Sequence, residues 1–337
     1  MSRLFSPVTH FKSISKKLAV VGCAMFISAN VMADYSAHPE AKSFINDMVT
    51  KHDFSEKEVK RILAGAQKRQ GILDAMSRPA EKTRTWKEYR PIFIQPLRVN
   101  GGVTFWKENQ EALDRAERMF GVPAEMIVAI IGVETNYGRN TGSYHVLDAL
   151  TTLAFDYPPR APFFRSELEN YLILTREHQQ DPFKFKGSYA GAMGYGQFMP
   201  SSYRNYAVDF TGDGFADIWN DTTDAIGSVA NYFVKHGWQA GQEVILPARL
   251  TGARDAIKFN DLQVPSKTLA DWKETGLVAQ TTHADTAKAV AIEFDGENGL
   301  EYWLGLQNFY TITRYNRSPM YAMAVYQLSQ DIKAAKK

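Results

Sequence analysis

From residue 123 to 138 the chain reads Pro-Ala-Glu-Met-Ile-Val-Ala-Ile-Ile-Gly-Val-Glu-Thr-Asn-Tyr-Gly. Wound as a helix, Met126, Ile127, Val128, Ala129, Ile130, Ile131 and Val133 leave almost no polar side, and a helix apolar all round has to be buried. Other elements must therefore wrap it, and a chain of 337 residues with 45% hydrophobic side chains can supply that core. Pro123 fits the first helical position, and Asn136-Tyr137-Gly138 supplies the stop. Glu134 ends the run seven residues after Ile127, four after Ile130 and three after Ile131, on their face of the helix. Desolvation there should raise its pKa, which suits a general acid. A glutamate bonded to neighbouring backbone, or to an arginine at a helix end, would leave the same sequence. Both readings stand at this point.

The rest of the chain is mostly helical in pattern. Ser55-Glu56-Lys57-Glu58 reads as a capping box ahead of Val59, Ile62, Leu63 and Ala66 at helical spacing. The expected order is a helical N-terminal region (34–106), a core (107–241), a β-rich insertion (242–308) and a closing segment (309–337). Val244-Ile245-Leu246 and Ala289 to Phe294 carry the strand signal of the insertion. Ser318 and Pro319 should cap and start a last helix from Met320 to about Lys333. The expected fold class is mainly α (α+β).

The formal charge of +2 gives no reason to expect a nucleic-acid partner, and one cysteine excludes an internal disulfide framework. Residues 1–33 hold Arg3, Lys12, Lys16 and Lys17 and no acidic residue, followed by an apolar stretch ending in Val31-Met32-Ala33. That is the pattern of a secretory signal peptide, cut after Ala33. Without it, 35 basic residues face 37 acidic ones and no thiol remains. Val20-Val21-Gly22-Cys23 offers an alternative, lipidation at Cys23 and an outer-membrane anchor. Either way the chain is exported.

Two loops carry further chemistry. The run from Ser188 to Tyr203 is Ser-Tyr-Ala-Gly-Ala-Met-Gly-Tyr-Gly-Gln-Phe-Met-Pro-Ser-Ser-Tyr. Its glycines allow close backbone approach, its aromatics can stack on sugar faces, and its amide and hydroxyls can bond sugar substituents. A structural turn with core aromatics is the plainer alternative. From Asp209 the chain reads Asp-Phe-Thr-Gly-Asp-Gly-Phe-Ala-Asp, the first half of an EF-hand-like calcium loop. Asp209, Thr211 and Asp213 fall at positions 1, 3 and 5, and Phe215 would offer its carbonyl at position 7. Asn220 stands where the bidentate glutamate belongs, so Asp221 or Asp224 has to close the shell from a longer loop, and Asp224, which also begins a helical stretch, is favoured. An acidic loop without metal is the alternative.

Taken together, Gly132 to Gly138, Ser188 to Ser202, the Asp209 loop, Asp224 to Phe233 and Tyr315-Asn316-Arg-Ser-Pro-Met-Tyr321 resemble the B-type lytic murein transglycosylases, a lysozyme-like family. The resemblance runs through nearly the whole chain in order. It implies a lysozyme-like core in residues 107–241 and an enzyme cleaving the MurNAc–GlcNAc β-1,4 bond of peptidoglycan without water. Glu134 would be the acid and then the base. Ser188 and Gln197 would contact the sugar and its N-acetyl group, and Tyr232, Tyr315, Asn316 and Tyr321 would form the cleft. Asp209, Thr211, Asp213, Phe215 and Asp224 would hold a structural Ca2+, with no cofactor needed for the chemistry. The implied setting is the periplasm of a Gram-negative bacterium, with glycan strands as partner, other cell-wall enzymes as company, no nucleic acid and a monomeric chain.

Glycoside cleavage ordinarily uses two carboxylates, and the sequence offers one strong candidate. The resemblance fills the gap with the substrate's own acetamido group. A true hydrolase, a silent peptidoglycan-binding protein and a calcium-stabilised scaffold remain as rivals, and Glu134 at the end of a buried helix favours an enzyme.

Overall fold

The computed structural model describes residues 34–77 and 84–337. The expected signal peptide, its cut after Ala33 and the alternative at Cys23 lie outside the described residues. As expected, the architecture is mainly α, with a small five-stranded antiparallel sheet and a two-stranded one pairing Tyr144–His145 with Lys186–Gly187. Fourteen α-helices occur among the described residues, and most flank the all-apolar segment or build a second core beside it.

The all-apolar segment is the helix Ala124–Thr135. Pro123 stands one place earlier than expected: its ψ of 139° is extended, so it caps the helix instead of starting it. Around this helix pack Trp86, Phe105, Phe233, Phe309, Val325 and Ile332 from five other helices. A second core gathers the helices Val146–Asp156 and Ala161–Glu177 with the N-terminal helices. Val59, Ile62 and Leu63 lie in it, behind Ser55, whose Oγ accepts the Glu58 N–H at 3.2 Å. Tyr315 packs against both cores, and the neighbours Tyr232 and Phe233 divide between them. The seam between the two cores therefore passes through two of the tyrosines expected in the cleft.

The sheet has five strands in the order Lys267–Thr268, Lys288–Gly296, Gly299–Gly305, Ile245–Leu250, Leu277–Ala279, all antiparallel. Along Lys288–Gly296 the side chains alternate as a pleat requires. Val290, Ile292 and Phe294 join the helical core, while Ala289 and Ala291 join a small core of the sheet's own. Phe294 meets Trp86 with ring centroids 5.1 Å apart, which fixes the sheet against the helices. After the sheet the chain returns through Gln307–Tyr315 and Pro319–Lys336, the latter capped by Ser318 as expected.

Candidate active site

Glu134 is the one residue of the Ala124–Thr135 helix that is only partly buried. Its Oε1 accepts a hydrogen bond from the Tyr321 hydroxyl at 2.5 Å. Tyr321 lies in the first turn of Pro319–Lys336, where its N–H donates to the capping Ser318 Oγ at 3.3 Å. Burial, and then the charge of Glu134, hold the Tyr321 phenol well above its ordinary pKa, so it serves as a neutral donor. The same two causes act in the same order on Tyr315. Tyr232 is pushed up mainly by burial, with Tyr206 and Glu134 adding to it.

These phenols are anchored to the backbone. Tyr315 donates to the Gly196 carbonyl at 2.7 Å and Tyr232 to the Arg314 carbonyl at 2.7 Å, with their ring centroids 4.6 Å apart. One carboxylate thus acts electrostatically on three neutral hydroxyls delivered by three different helices. Tyr89, on Trp86–Phe93, adds a last and smallest upward push on the Tyr321 phenol. The sequence reading missed Tyr89. Its only local signal is an aromatic three residues after Trp86 on an amphipathic helix, the same signal a core aromatic gives.

The glycine-aromatic loop reaches the site through its middle. Thr135 Oγ1 lies 3.1 Å from the Tyr195 carbonyl, and the Tyr195 N–H donates to the Ile218 carbonyl at 2.9 Å. Gly194 has φ +67° and packs against the Ile218 carbonyl where a side chain would start, so only glycine fits. Gln197 sits at φ +50°, and its Nε2 donates to the carbonyls of Thr141 at 3.1 Å and Gly194 at 3.0 Å. That leaves its amide oxygen as an acceptor. Ser188 instead folds into its own turn, its Oγ accepting the N–H groups of Ala190 and Ala192 at 3.3 and 3.1 Å. Asn316 follows Tyr315 in the link between the last two helices, where its carbonyl accepts the Ser318 N–H at 2.7 Å.

The fold therefore gathers Glu134, Tyr232, Tyr315, Tyr321 and the Gly196–Gln197 turn in one place. Ser188 and Asn316 sit on the segments that frame it.

The acidic loop is built differently. Asp209, Asp213 and Asp224 each turn a carboxylate oxygen to within 4.8 Å of the others. Asp209 Oδ1 accepts the N–H groups of Gly212 and Asp213 at 2.6 and 3.1 Å and faces the Thr211 hydroxyl at 3.2 Å. Its Oδ2 accepts the Gly214 N–H at 2.7 Å, and this bond, with the others, holds the carboxyl below its usual pKa. Asp224 is wholly buried and accepts the N–H groups of Phe210, Thr211 and Asp217 at 2.7, 2.9 and 2.8 Å. It does not start its helix as the sequence implied. Asp221 caps Thr222–Lys235, because its carboxylate can reach the N–H groups of Thr223 and Asp224. Asp224 is thereby freed to point back into the loop. Among the described residues no lysine or arginine pairs with Asp224. Three convergent carboxylates, one buried without a cationic partner, suit a hard cation taking oxygen ligands.

A family model described as the transglycosylase SLT domain matches residues 36–330. The chain belongs to that family. It is 45% identical over 321 residues to the membrane-bound lytic murein transglycosylase B of Escherichia coli K12, covering 91% of this chain and 87% of the relative. The structure of the catenated lytic transglycosylase SltB1 from Pseudomonas aeruginosa matches with a TM-score of 0.86 at 52% identity, covering 90% of this chain and all of that one. The Escherichia coli lytic transglycosylase Slt35 in complex with calcium matches with a TM-score of 0.82 at 45% identity, over 92% of this chain and 98% of that one. This family member thus has the mainly α, lysozyme-like fold that the resemblance implied.

Proposed function

We propose that this chain is a lytic transglycosylase that cleaves the MurNAc–GlcNAc β-1,4 bond of peptidoglycan and closes a 1,6-anhydro ring on the muramyl product. The observation that carries the reading is Glu134, a partly buried carboxylate at the end of a buried helix, held by the Tyr321 hydroxyl at 2.5 Å. Protonated, Glu134 donates to the glycosidic oxygen as the bond to C1 breaks. The substrate's acetamido oxygen stabilises the positive charge developing at C1, the substrate-assisted route that dispenses with a second carboxylate. Glu134, now ionised, takes the proton of the muramyl C6 hydroxyl, whose oxygen bonds C1. The proton count closes without water. The free oxygen of Gln197 suits an N-acetyl N–H, and Tyr232, Tyr315, Asn316 and Ser188 border the space for the sugar.

The Asp209 loop is assigned to Ca2+, held by the carboxylates of Asp209, Asp213 and Asp224, the Thr211 hydroxyl and the Phe215 carbonyl. Bound there, calcium supplies charge neutralisation and rigidity to the loop and takes no part in bond cleavage. Export fits the basic and apolar leader, and no helix among the described residues is long and apolar enough to cross a membrane. We place the enzyme in the periplasm, acting on glycan strands as a monomer.

Digestion of sacculi with the native chain and with Glu134→Gln, followed by mass analysis of the muropeptides, tests this. Products one water lighter than those of a hydrolase, lost in the variant, are expected. Ordinary reducing ends, or an active variant, would sink it.

A further inference from the structure

The motif around Glu134 contains a residue that the scheme above does not use. Asn136, Tyr137 and Gly138 all have left-handed φ, at +51°, +62° and +84°. Glycine alone would stop the helix more cheaply, so a tyrosine in this conformation needs a compensating role. Its ring folds back under the helix it has just left. A Cβ on Gly132 would lie 2.6 Å from the Tyr137 hydroxyl, one on Gly101 2.8 Å from its ring, and one on Gly102 2.7 Å from the hydroxyl. Three glycines on two helices, Ala124–Thr135 and Pro96–Glu108, thus form a slot for this ring.

The slot is closed by hydrogen bonds in both directions. The Tyr137 hydroxyl donates to the Arg98 carbonyl at 2.7 Å, and the Arg98 guanidinium donates to the Gly132 carbonyl. Gly132 lies two residues before Glu134, in the last turn of the helix, where its carbonyl also accepts the Asn136 N–H at 3.1 Å and a cation is favourable. Burial lowers the Arg98 pKa from its ordinary value, and the neighbouring Tyr137 acts against that shift. Burial likewise holds the Tyr137 phenol above its ordinary range, so it stays a donor.

We propose that Tyr137 and Arg98 are positioning residues that lock the terminal turn carrying Glu134 against Pro96–Glu108, fixing the carboxyl relative to the glycosidic oxygen. The inference rests on the reading of Glu134 as the acid and base. Neither residue touches substrate; both act through the backbone of the Gly132–Glu134 turn. A reacting group displaced by about 1 Å loses up to about 10²-fold in rate while binding is spared, so the signature is a fall in kcat at constant KM.

The experiment measures kcat and KM on a soluble, uncrosslinked GlcNAc–MurNAc glycan for Tyr137→Phe, Arg98→Met, Arg98→Lys and Glu134→Gln, with thermal unfolding of each. Tyr137→Phe and Arg98→Met should lose about tenfold in kcat with KM within about twofold, and Arg98→Lys should recover most of the loss. If Tyr137→Phe fails to fold, the two Arg98 variants carry the comparison. Unchanged kcat per folded molecule with only a lower Tm would make the slot simple packing and overturn the inference. An inactive Glu134→Gln beside a fully active Tyr137→Phe and Arg98→Met overturns this inference alone. An active Glu134→Gln overturns the reading beneath it as well.

Discussion

The molecule handles carboxylates in two contrasting ways, at Glu134 and in the loop from Asp209 to Asp224. Glu134 closes an apolar helix, and its Oε1 accepts from a side-chain hydroxyl, Tyr321. The loop carboxylates stand together and are held by backbone N–H groups, three of them on Asp224 alone. Backbone donors favour the ionised form and cannot take up a proton. That arrangement suits a fixed anion awaiting a cation. Neutral phenols around one carboxyl tolerate either protonation state, which a group serving as acid and then base requires. The two regions meet through the Tyr195 N–H on the Ile218 carbonyl, yet their chemistry stays separate.

Substitution should expose this separation. The largest effect is expected at Glu134→Gln, which should lower turnover by about 10²- to 10⁴-fold with little change in unfolding temperature. Asp224→Asn should do the reverse. It puts an amide against buried N–H donors and should cost about 2–3 kcal/mol of unfolding free energy in denaturant titrations, with kcat of the folded fraction nearly unchanged. Calcium at a hundredfold excess over its Kd should add about 2.7 kcal/mol to the native chain and far less to this variant. A comparable kcat loss in both variants would erase the contrast.

A smaller effect is expected from Tyr321→Phe, which removes the donor to Glu134 and should cost about tenfold in kcat on sacculi. The smallest concerns the support of Tyr232. His236 stacks on that ring with centroids 4.0 Å apart and its Nδ1 lies 2.7 Å from the Tyr232 carbonyl. Burial lowers its pKa, with nearby Arg314 acting in the same direction. The unfolded chain therefore takes up this proton first, so its stability contribution is present above the ordinary value near 6.5 and is lost as pH falls through the folded pKa. Replacing His236 with Phe should flatten the stability curve between about pH 7 and 5. An unchanged slope would show that His236 does not titrate as described.

What could be read from sequence divides along the same line. The buried helix, its terminal carboxylate, the last helix with its Ser318 cap and the acidic loop all have local signatures: periodicity, a capping residue, a ligand spacing. The assembly of Tyr232, Tyr315 and Tyr321 around Glu134, with Tyr89 acting on Tyr321, does not, because helices from both halves of the chain deliver them. Family resemblance supplied three of those tyrosines, and nothing local separated Tyr89 from a core aromatic. Pro123 caps its helix instead of starting it and Asp224 is the third residue of its helix instead of the first, since a cap depends on ψ and on where a side chain turns, which residue type alone does not fix. The slot for Tyr137 was invisible for a related reason. Its glycines are scattered over two helices and acquire meaning only when the helices cross.

The central claim is that one carboxylate suffices because the muramyl C6 oxygen, and not water, attacks C1. Digesting sacculi in water enriched in heavy oxygen and weighing the muropeptides tests it most directly. The account requires anhydro ends carrying no heavy oxygen. Reducing ends with one heavy oxygen per cleaved bond would contradict it and make the protein a hydrolase.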